Sequence, residues 1–224
     1  MVGYNLLIET IMKRILTTIL SAGLISLISC ESDLESKGIA KGIIRYPSIE
    51  VLGETPFVLE AGSTFDDPGA KAFLGEDEIT DQLEMSSNVD ETTPGVYTVT
   101  YSVSTINELD QTSEAQVSRF VSVTDGNVCA EDMTGAYERN TNGIETSVTE
   151  VACGVFASDN FFTTATFTFT GLIFHVGNGE LVIPEQNSPY GRYQGTGQIT
   201  EDGFQFVCQL LDQPGSVTRI FIKQ

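Results

Sequence analysis

Three runs in which apolar side chains recur at every second position constrain the fold of this chain more than any other feature of its sequence. They extend from Gly95 to Val103, from Thr164 to Thr170 and from Gly203 to Leu211. Because successive side chains of a β-strand point to opposite faces, each run predicts a strand with one buried face. The expected core side chains are Tyr97, Val99, Tyr101 and Val103, then Ala165, Phe167 and Phe169, then Phe204, Phe206, Cys208 and Leu210.

Further short runs between Gly, Pro and Asp turns predict that the rest of the folded chain is also β. They are Ile49–Leu52, Phe57–Glu60, Ala70–Phe73, Gln82–Ser86, Ala115–Val123, Ala136–Arg139, Ile144–Val151, Leu172–His175, Glu180–Ile183, Tyr193–Ile199 and Val217–Lys223. The turn signal at Asp125–Asn127 separates a first domain, residues 43–124, from a second, residues 128–224. We therefore expect an all-β chain: a sandwich, then a small antiparallel barrel or sandwich.

The charge of the chain excludes several kinds of partner. With 31 Asp and Glu against 11 Lys and Arg, the formal net charge is -20. Such a field repels phosphate, so we expect neither nucleic-acid binding nor adhesion to anionic lipid through a basic patch. A single histidine, His175, excludes His-rich zinc sites and HExxH proteases. No metal and no cofactor are predicted.

The N-terminal segment has the organisation of a secretory signal. Lys13 and Arg14 precede an uncharged apolar run from Ile15 to Ile28, which is shorter than the ~20 residues that span a bilayer. The tetrapeptide Leu27–Cys30 then resembles the bacterial lipobox, in which the cysteine is acylated and becomes the mature N-terminus. The resemblance implies a signal peptide over residues 1–29, with Met12 the expected initiator and residues 1–11 upstream of it. It also implies a lipid anchor at Cys30.

Residues 30–42 have the composition of a flexible tether. Glu31, Ser32 and Asp33 resemble the surface-export signal of Bacteroidetes lipoproteins. This implies an outer-membrane protein, held in the lipid by acylated Cys30 and facing the cell exterior. An ordinary solvated tether on a periplasmic lipoprotein is the alternative.

The first domain carries an ordered series of short motifs. They are Ala61–Ala70 (AGSTFDDPGA), Ile79-Thr80, Val89-Asp90 and Thr93–Tyr101 (TPGVYTVTY). Together they resemble a bacterial immunoglobulin-like domain of unknown function that recurs in Bacteroidetes surface lipoproteins and in some pesticidal crystal toxins. The resemblance implies an immunoglobulin-like sandwich that acts as a spacer or adhesion module.

The second domain resembles a family through shorter motifs: Met133–Arg139, Gly154–Phe156 and Asp159–Phe162. These look like the domain that follows the immunoglobulin-like module in lipoproteins of glycan-uptake loci. Such loci encode SusC/SusD-type importers, so the resemblance implies a non-catalytic accessory role beside an importer of that type, and it assigns no ligand. Oligosaccharide is the ligand class considered from the aromatic residues below.

Aromatic side chains are the candidates for contacting a sugar, because sugar faces stack on rings. Tyr190, Tyr193, Phe161 and Phe162 lie in or beside stretches predicted as loops, and form the predicted ligand site. The alternative is that both phenylalanines belong to the core and Tyr190 covers a turn, which leaves a purely structural spacer or adhesion lipoprotein without a small-molecule ligand.

Catalysis is the less favoured alternative. A glycoside hydrolase needs two carboxylates at a set separation, and the second domain offers Asp159, Glu180, Glu185, Glu201 and Asp202. All five adjoin predicted surface turns. His175 lacks a GxSxG partner motif and is expected to be a packed or edge side chain, so no catalytic residue is predicted.

The acidic loop residues Asp66, Asp67 and Glu76–Glu78 raise the question of a calcium site. Their spacing does not fit an EF-hand loop, which needs acidic residues at alternate positions, Gly at the sixth and Glu at the twelfth. A turn and a solvated loop are the preferred interpretation.

The remaining cysteines are interpreted from strand register. The turn Asn140–Gly143 predicts a hairpin, and residues that face each other across this hairpin have residue numbers that sum to about 283. The numbers of Cys129 and Cys153 sum to 282, so the two cysteines are expected to lie nearly opposite each other. We therefore expect a Cys129–Cys153 disulfide, with Cys208 left in the core. A Cys153–Cys208 bridge, or three reduced cysteines, are the alternatives.

We expect the Cys30→Ala variant to lose palmitate labelling and to leave the detergent phase, because two acyl chains at that position hold a protein in a membrane. Metabolic labelling and detergent partitioning measure this, with Cys208→Ala as the matched control that keeps its label. Equal labelling of the Cys30→Ala variant and the native chain would contradict the anchor.

Overall fold

The computed structural model describes residues 45–107, 110–126 and 128–224. The predicted signal segment, Cys30 and the tether lie outside these ranges. Across the described residues the chain is all-β, as predicted, and only two short 3-10 turns, Thr80–Gln82 and Val128–Ala130, interrupt the strands. Residues 44–224 form one compact unit.

The first seven strands form the predicted immunoglobulin-like sandwich. They are β1 (Pro47–Val51), β2 (Phe57–Glu60), β3 (Ala70–Leu74), β4 (Asp77–Glu78), β5 (Glu84–Ser87), β6 (Gly95–Ile106) and β7 (Thr112–Thr124). One sheet has the order β1-β3-β4 and the other the order β2-β7-β6-β5. All pairs are antiparallel except β2 with β7. The alternation in β6 is confirmed, since Val99, Tyr101 and Val103 are buried between the sheets.

A buried ion pair lies inside the sandwich. Arg119 of β7 has no exposed surface, and its guanidinium donates to the carboxylate of Asp67 at 2.6 Å. The same carboxylate accepts a hydrogen bond from the hydroxyl of Tyr101 at 2.5 Å and from the backbone N–H of Gly69 at 3.1 Å. Arg119 also donates to the carbonyl of Leu52. The pair thus ties the loop between β2 and β3 to the two long central strands.

The remaining eight strands close into a barrel, as one of the two predicted architectures. They are β8 (Gly135–Arg139), β9 (Glu145–Ala152), β10 (Val155–Ser158), β11 (Gly171–Gly177), β12 (Glu180–Ser188), β13 (Gly191–Thr200), β14 (Gly203–Leu210) and β15 (Ser216–Lys223). Each strand pairs antiparallel with the next along the chain, and β15 pairs with β8 to complete the closure. Connections therefore alternate between the two ends of the barrel.

The prediction of a strand at Thr164–Thr170 is wrong. These residues form an irregular segment between β10 and β11, and the strand β10 was not predicted. Of the three side chains expected in the core, Ala165 and Phe167 are exposed and only Phe169 packs against it. The physical reason is that Phe161 and Phe162 enter the barrel first, so the following residues pass over its end instead of along its wall.

Aromatic rings fill the inside of the barrel. Its buried cluster holds Tyr137, Phe156, Phe161, Phe162, Tyr193, Phe204, Phe206 and Phe221. Phe161 and Phe206 stack with their ring centroids 4.6 Å apart. Glycine is required at close approaches such as Gly171, where a Cβ would meet the Phe161 ring at 2.3 Å, and Gly195, where it would meet the carbonyl oxygen of Val207 at 2.2 Å. The barrel is thus a packed core without a lumen for a ligand.

In the structure Cys129 and Cys153 form a disulfide with their Cα atoms 4.9 Å apart. The bridge ties the 3-10 turn before β8 to the end of the β8–β9 hairpin, and closing a loop of this size stabilises by about 3 kcal/mol on the chain-entropy model. Cys208 is free and buried in the barrel, where burial raises the pKa of its thiol to about 12.

The sandwich and the barrel share an apolar seam. Phe174 and Val176 of β11 are buried against Phe120 of β7 and Val58 of β2. The rings of Phe120 and Phe174 meet edge to face with centroids 5.7 Å apart. At the junction, the N–H of Asp125 donates to the carbonyl of Val176 at 2.8 Å, so the residue that leaves the sandwich is bonded to the barrel wall.

We expect Asp67→Ala to lower the free energy of unfolding by about 3–5 kcal/mol, because Arg119 would keep a buried charge without its counter-ion. Glu78→Gln is the matched control: its pair with Lys71 is exposed, and its loss is expected to cost less than about 1 kcal/mol. Urea denaturation at pH 7 measures both. Equal midpoints for the two variants would show that the ion pair does not support the sandwich.

Candidate functional site

The structure buries three of the four rings predicted to contact a sugar and leaves the fourth at the surface. Phe161 and Tyr193 have no exposed surface and Phe162 has 2%. The prediction that these three rings form an exposed stacking surface is wrong, because each is inserted among the other rings of the barrel core. The alternative weighed for Phe161 and Phe162, that they belong to the core, describes the structure. Burial also raises the pKa of the Tyr193 hydroxyl.

Tyr190 is the predicted residue that reaches the surface. It lies in the tight turn between β12 and β13, half-buried, with its hydroxyl donating to Thr164 Oγ1 at 3.3 Å. Phe167, which the alternation had placed in the core, stands against it with ring centroids 6.0 Å apart and 53% of its surface exposed. The two side chains form an aromatic pair, Phe167–Tyr190, on the outside of one end of the barrel.

The segment that carries Phe167 is held by buried polar groups. Asn160 is buried; its side chain accepts from the N–H of Thr164 at 3.2 Å and donates to the carbonyl of the same residue at 3.3 Å. Arg219 donates through Nε to the carbonyl of Phe162 at 2.9 Å. Thr163 has a φ of 47°, which is rare for a β-branched residue. Such strain persists only where the surroundings determine the conformation, so the segment presents Phe167 in a defined position.

A polar depression of about 520 Å³ lies beside the same segment, where Asp159 and Asn160 face the first residues of β9. The carboxylate of Asp159 accepts from the hydroxyl of Thr146 at 2.9 Å and from the N–H of Ser147 at 2.8 Å. These bonds connect the segment to the barrel wall, so we assign Asp159 a structural role.

The candidate glycosidase carboxylates are divided between the two ends of the barrel. Asp159 follows β10 at one end, whereas Glu201 and Asp202 form the β13–β14 turn at the other end. Glu180 begins β12 at the same end as those two. Glu185 pairs with Arg192 at 3.0 Å. Asp159 and Glu201 therefore do not form the facing pair that glycoside hydrolysis requires.

His175 is a packed side chain of β11 with 1% exposure. Its Nε2 accepts a hydrogen bond from the N–H of Gly179 at 3.2 Å and lies 3.6 Å from a carboxylate oxygen of Glu131. Within the described residues its Nδ1 has no hydrogen-bond partner, and no serine hydroxyl bonds to the ring. The site is that of a structural histidine.

Three of the five acidic loop residues have basic partners on the protein. Asp67 belongs to the buried pair with Arg119, Asp77 pairs with Arg45 at 3.4 Å and Glu78 pairs with Lys71 at 3.5 Å. In residues 45–107, 110–126 and 128–224, no group of three or more His, Cys, Asp and Glu side chains could hold a metal ion. Over the same residues, no helix has the length and apolarity to cross a membrane.

Comparison with known proteins identifies the sandwich. Residues 49–123 match the family model for the Ig-like domain of bacterial surface proteins, and the barrel lies outside the match. The chain is also similar to the crystal structure of the lipoprotein BT2262 from Bacteroides thetaiotaomicron, with 20% identity over 80% of this chain and 100% of that one and a TM-score of 0.34. At that TM-score the similarity supports no argument. No curated protein matches the chain.

We expect Phe161→Ala to lower the free energy of unfolding by about 3–5 kcal/mol, since it empties a ring position in the barrel core. Phe167→Ala, the same substitution six residues later, is expected to change it by less than about 1 kcal/mol, because that ring stands outside the core. Urea denaturation distinguishes the two. A large loss in Phe167→Ala would mean that its ring supports the barrel and is not available to a ligand.

Proposed function

We propose that the protein is a non-catalytic, lipid-anchored cell-surface protein that captures glycans. The observation that carries this proposal is the Phe167–Tyr190 pair: Tyr190 is half-buried against the barrel core, and Phe167 stands beside it with 53% of its surface exposed, on the segment that contains the strained residue Thr163. Aromatic faces are the usual stacking surfaces for sugars, and an exposed ring held in a defined position is a candidate interaction site.

The construction of the barrel supports a surface site and not an internal one. Because the barrel is filled with aromatic rings, a ligand has access only to its outer wall and its ends. Among the described carboxylates, those of Asp67, Glu185 and Asp212 pair with basic side chains. Asp159 lies at the opposite end of the barrel from Glu201. Both observations support binding without turnover.

The location proposed is the outer face of the outer membrane, with acylated Cys30 in the lipid. The match of the sandwich to a surface-protein domain supports this location. In this arrangement the sandwich follows the tether, and the barrel that carries the aromatic pair follows the sandwich. We extend the proposal to a SusC/SusD-type importer as the partner that receives the captured glycan.

A structural spacer or adhesion protein is the second candidate. The shared seam of β7 and β11 favours it, because a sandwich and barrel joined by a buried apolar contact transmit force as one body. In that case the Phe167–Tyr190 pair would contact another protein instead of a sugar.

Binding to an array of neutral and anionic oligosaccharides, followed by calorimetry with the best ligand, tests the proposal on the chain lacking residues 1–40. Phe167→Ala and Tyr190→Ala are expected to weaken binding by ~1–3 kcal/mol, the range for removal of an important contact ring. Tyr193→Phe, which removes only a buried hydroxyl, is the control and should bind as the native chain does. Absence of binding at millimolar concentration would favour the spacer.

A further inference from the structure

A second feature of the outer surface lies beside the apolar seam, against which its lining residues Val96 and Val182 pack. It is a groove of about 600 Å³ between the sandwich and the outer wall of the barrel. Val96 and Thr98 of β6 form one side, and outward-facing residues of β12, β13 and β14 form the other. We call this the interdomain groove. Clefts between domains are preferred locations for ligand sites.

The barrel side of the groove is a flat surface made by three paired strands. Thr196 of β13 lies opposite Val182 of β12 and Val207 of β14, so the three form one row across the sheet. In the next row Gln194 lies directly opposite Gln209. Val207 is 46% exposed. The groove therefore combines apolar surface with two carboxamide groups side by side.

The polar side chains of the interdomain groove are available to a ligand. Among the described residues, the side chains of Thr98, Gln194, Thr196 and Gln209 make no hydrogen bond to the protein. Each carboxamide offers both a donor and an acceptor, and each hydroxyl can act as either. This set matches the hydroxyl groups of a sugar, which also donate and accept.

The charge of the groove selects further among ligands. Its one ionisable side chain is Glu185, which is paired with Arg192 at 3.0 Å. The rest of the chain carries a large excess of acidic residues, with a formal net charge of -20. The groove offers a cationic ligand no unpaired carboxylate. An anionic ligand is repelled by the negative electrostatic field of the surrounding protein. An uncharged, hydroxyl-rich ligand fits both conditions.

The interdomain groove is connected to the aromatic pair by one strand. On β13 the exposed residues Arg192, Gln194 and Thr196 follow each other along the outer face, and Tyr190 lies in the turn from which that strand begins. At about 3.3 Å per residue, the path from Tyr190 to Thr196 is roughly 20 Å long. A ligand that reaches both ends is a chain of several sugar units and not a monosaccharide.

We propose that the interdomain groove is the polar subsite of an extended site for uncharged oligosaccharides, with the Phe167–Tyr190 pair as its stacking end. This rests on the proposed function and adds the charge class, the length of the ligand and a recognition surface. Both domains are needed, because β6 supplies one side of the groove and the seam of β7 and β11 holds that side in place.

The test uses a matched pair of double variants on the chain lacking residues 1–40. Gln194→Ala with Gln209→Ala removes both carboxamides of the groove. Gln198→Ala with Gln205→Ala removes the directly opposed pair four positions further along the same two strands, outside the groove. Calorimetry with the best neutral hexasaccharide of the array, and with hexagalacturonate as the anionic probe, measures binding.

We expect about a tenfold or greater loss of affinity in the groove variant and less than a twofold change in its control, with thermal midpoints unchanged. Hexagalacturonate should bind at least tenfold more weakly than the neutral ligand at low salt. If Phe167→Ala weakens binding and the groove variant does not, the groove is overturned and the proposed function stands. If no oligosaccharide binds the native chain, both are overturned. Equal affinity for hexagalacturonate overturns the charge class alone.

Discussion

The packing of β7 against β11 is the contact on which the arrangement of this molecule depends. Both faces are covered over the last residues of β7 and along β11: the inner side of β7 lines the sandwich and its outer side carries Phe120 onto Phe174, while β11 directs Ile173 into the barrel and Phe174 out of it. A slip of one residue in either strand would exchange its two faces and disrupt both cores together. The seam therefore couples the register of the sandwich to that of the barrel, and it forms the interdomain groove between them.

The buried ion pair has a different role, which is to specify one loop conformation. Replacing such a pair with apolar residues is often neutral for stability, whereas removing one member is costly. Asp67 accepts from Arg119, Tyr101 and Gly69 at once, so its carboxylate is directed inwards while the neighbouring Asp66 is exposed. Burial, together with the hydrogen bond to Asp67, raises the pKa of Tyr101 to about 12, so its hydroxyl remains a donor at neutral pH.

The barrel carries aromatic side chains both inside and outside. Eight buried rings pack in its core together with aliphatic residues such as Ile173, Leu181 and Ile183. Because Phe161 and Phe162 pack inside the barrel, the segment after β10 passes over the barrel end instead of joining the sheet. Phe167 is exposed as a consequence, and the segment that would have been a strand becomes the most distinctive surface of the barrel. Sites where local preference and tertiary structure disagree are often functional.

The sequence by itself determined the all-β class, the inner face of β6, and most strand positions, because the alternation of side chains in a strand is a local property with a period of two. It also pointed to the Cys129–Cys153 pairing, since register across a hairpin follows from its turn. It did not determine which rings are exposed. Thr164–Thr170 alternates as well as β6 does, yet whether its rings are buried depends on which rings already occupy the barrel. The ion pair of Asp67, the Phe167–Tyr190 pair and the interdomain groove are likewise formed by residues that are distant in the chain. No local sequence pattern predicts which distant residues will meet.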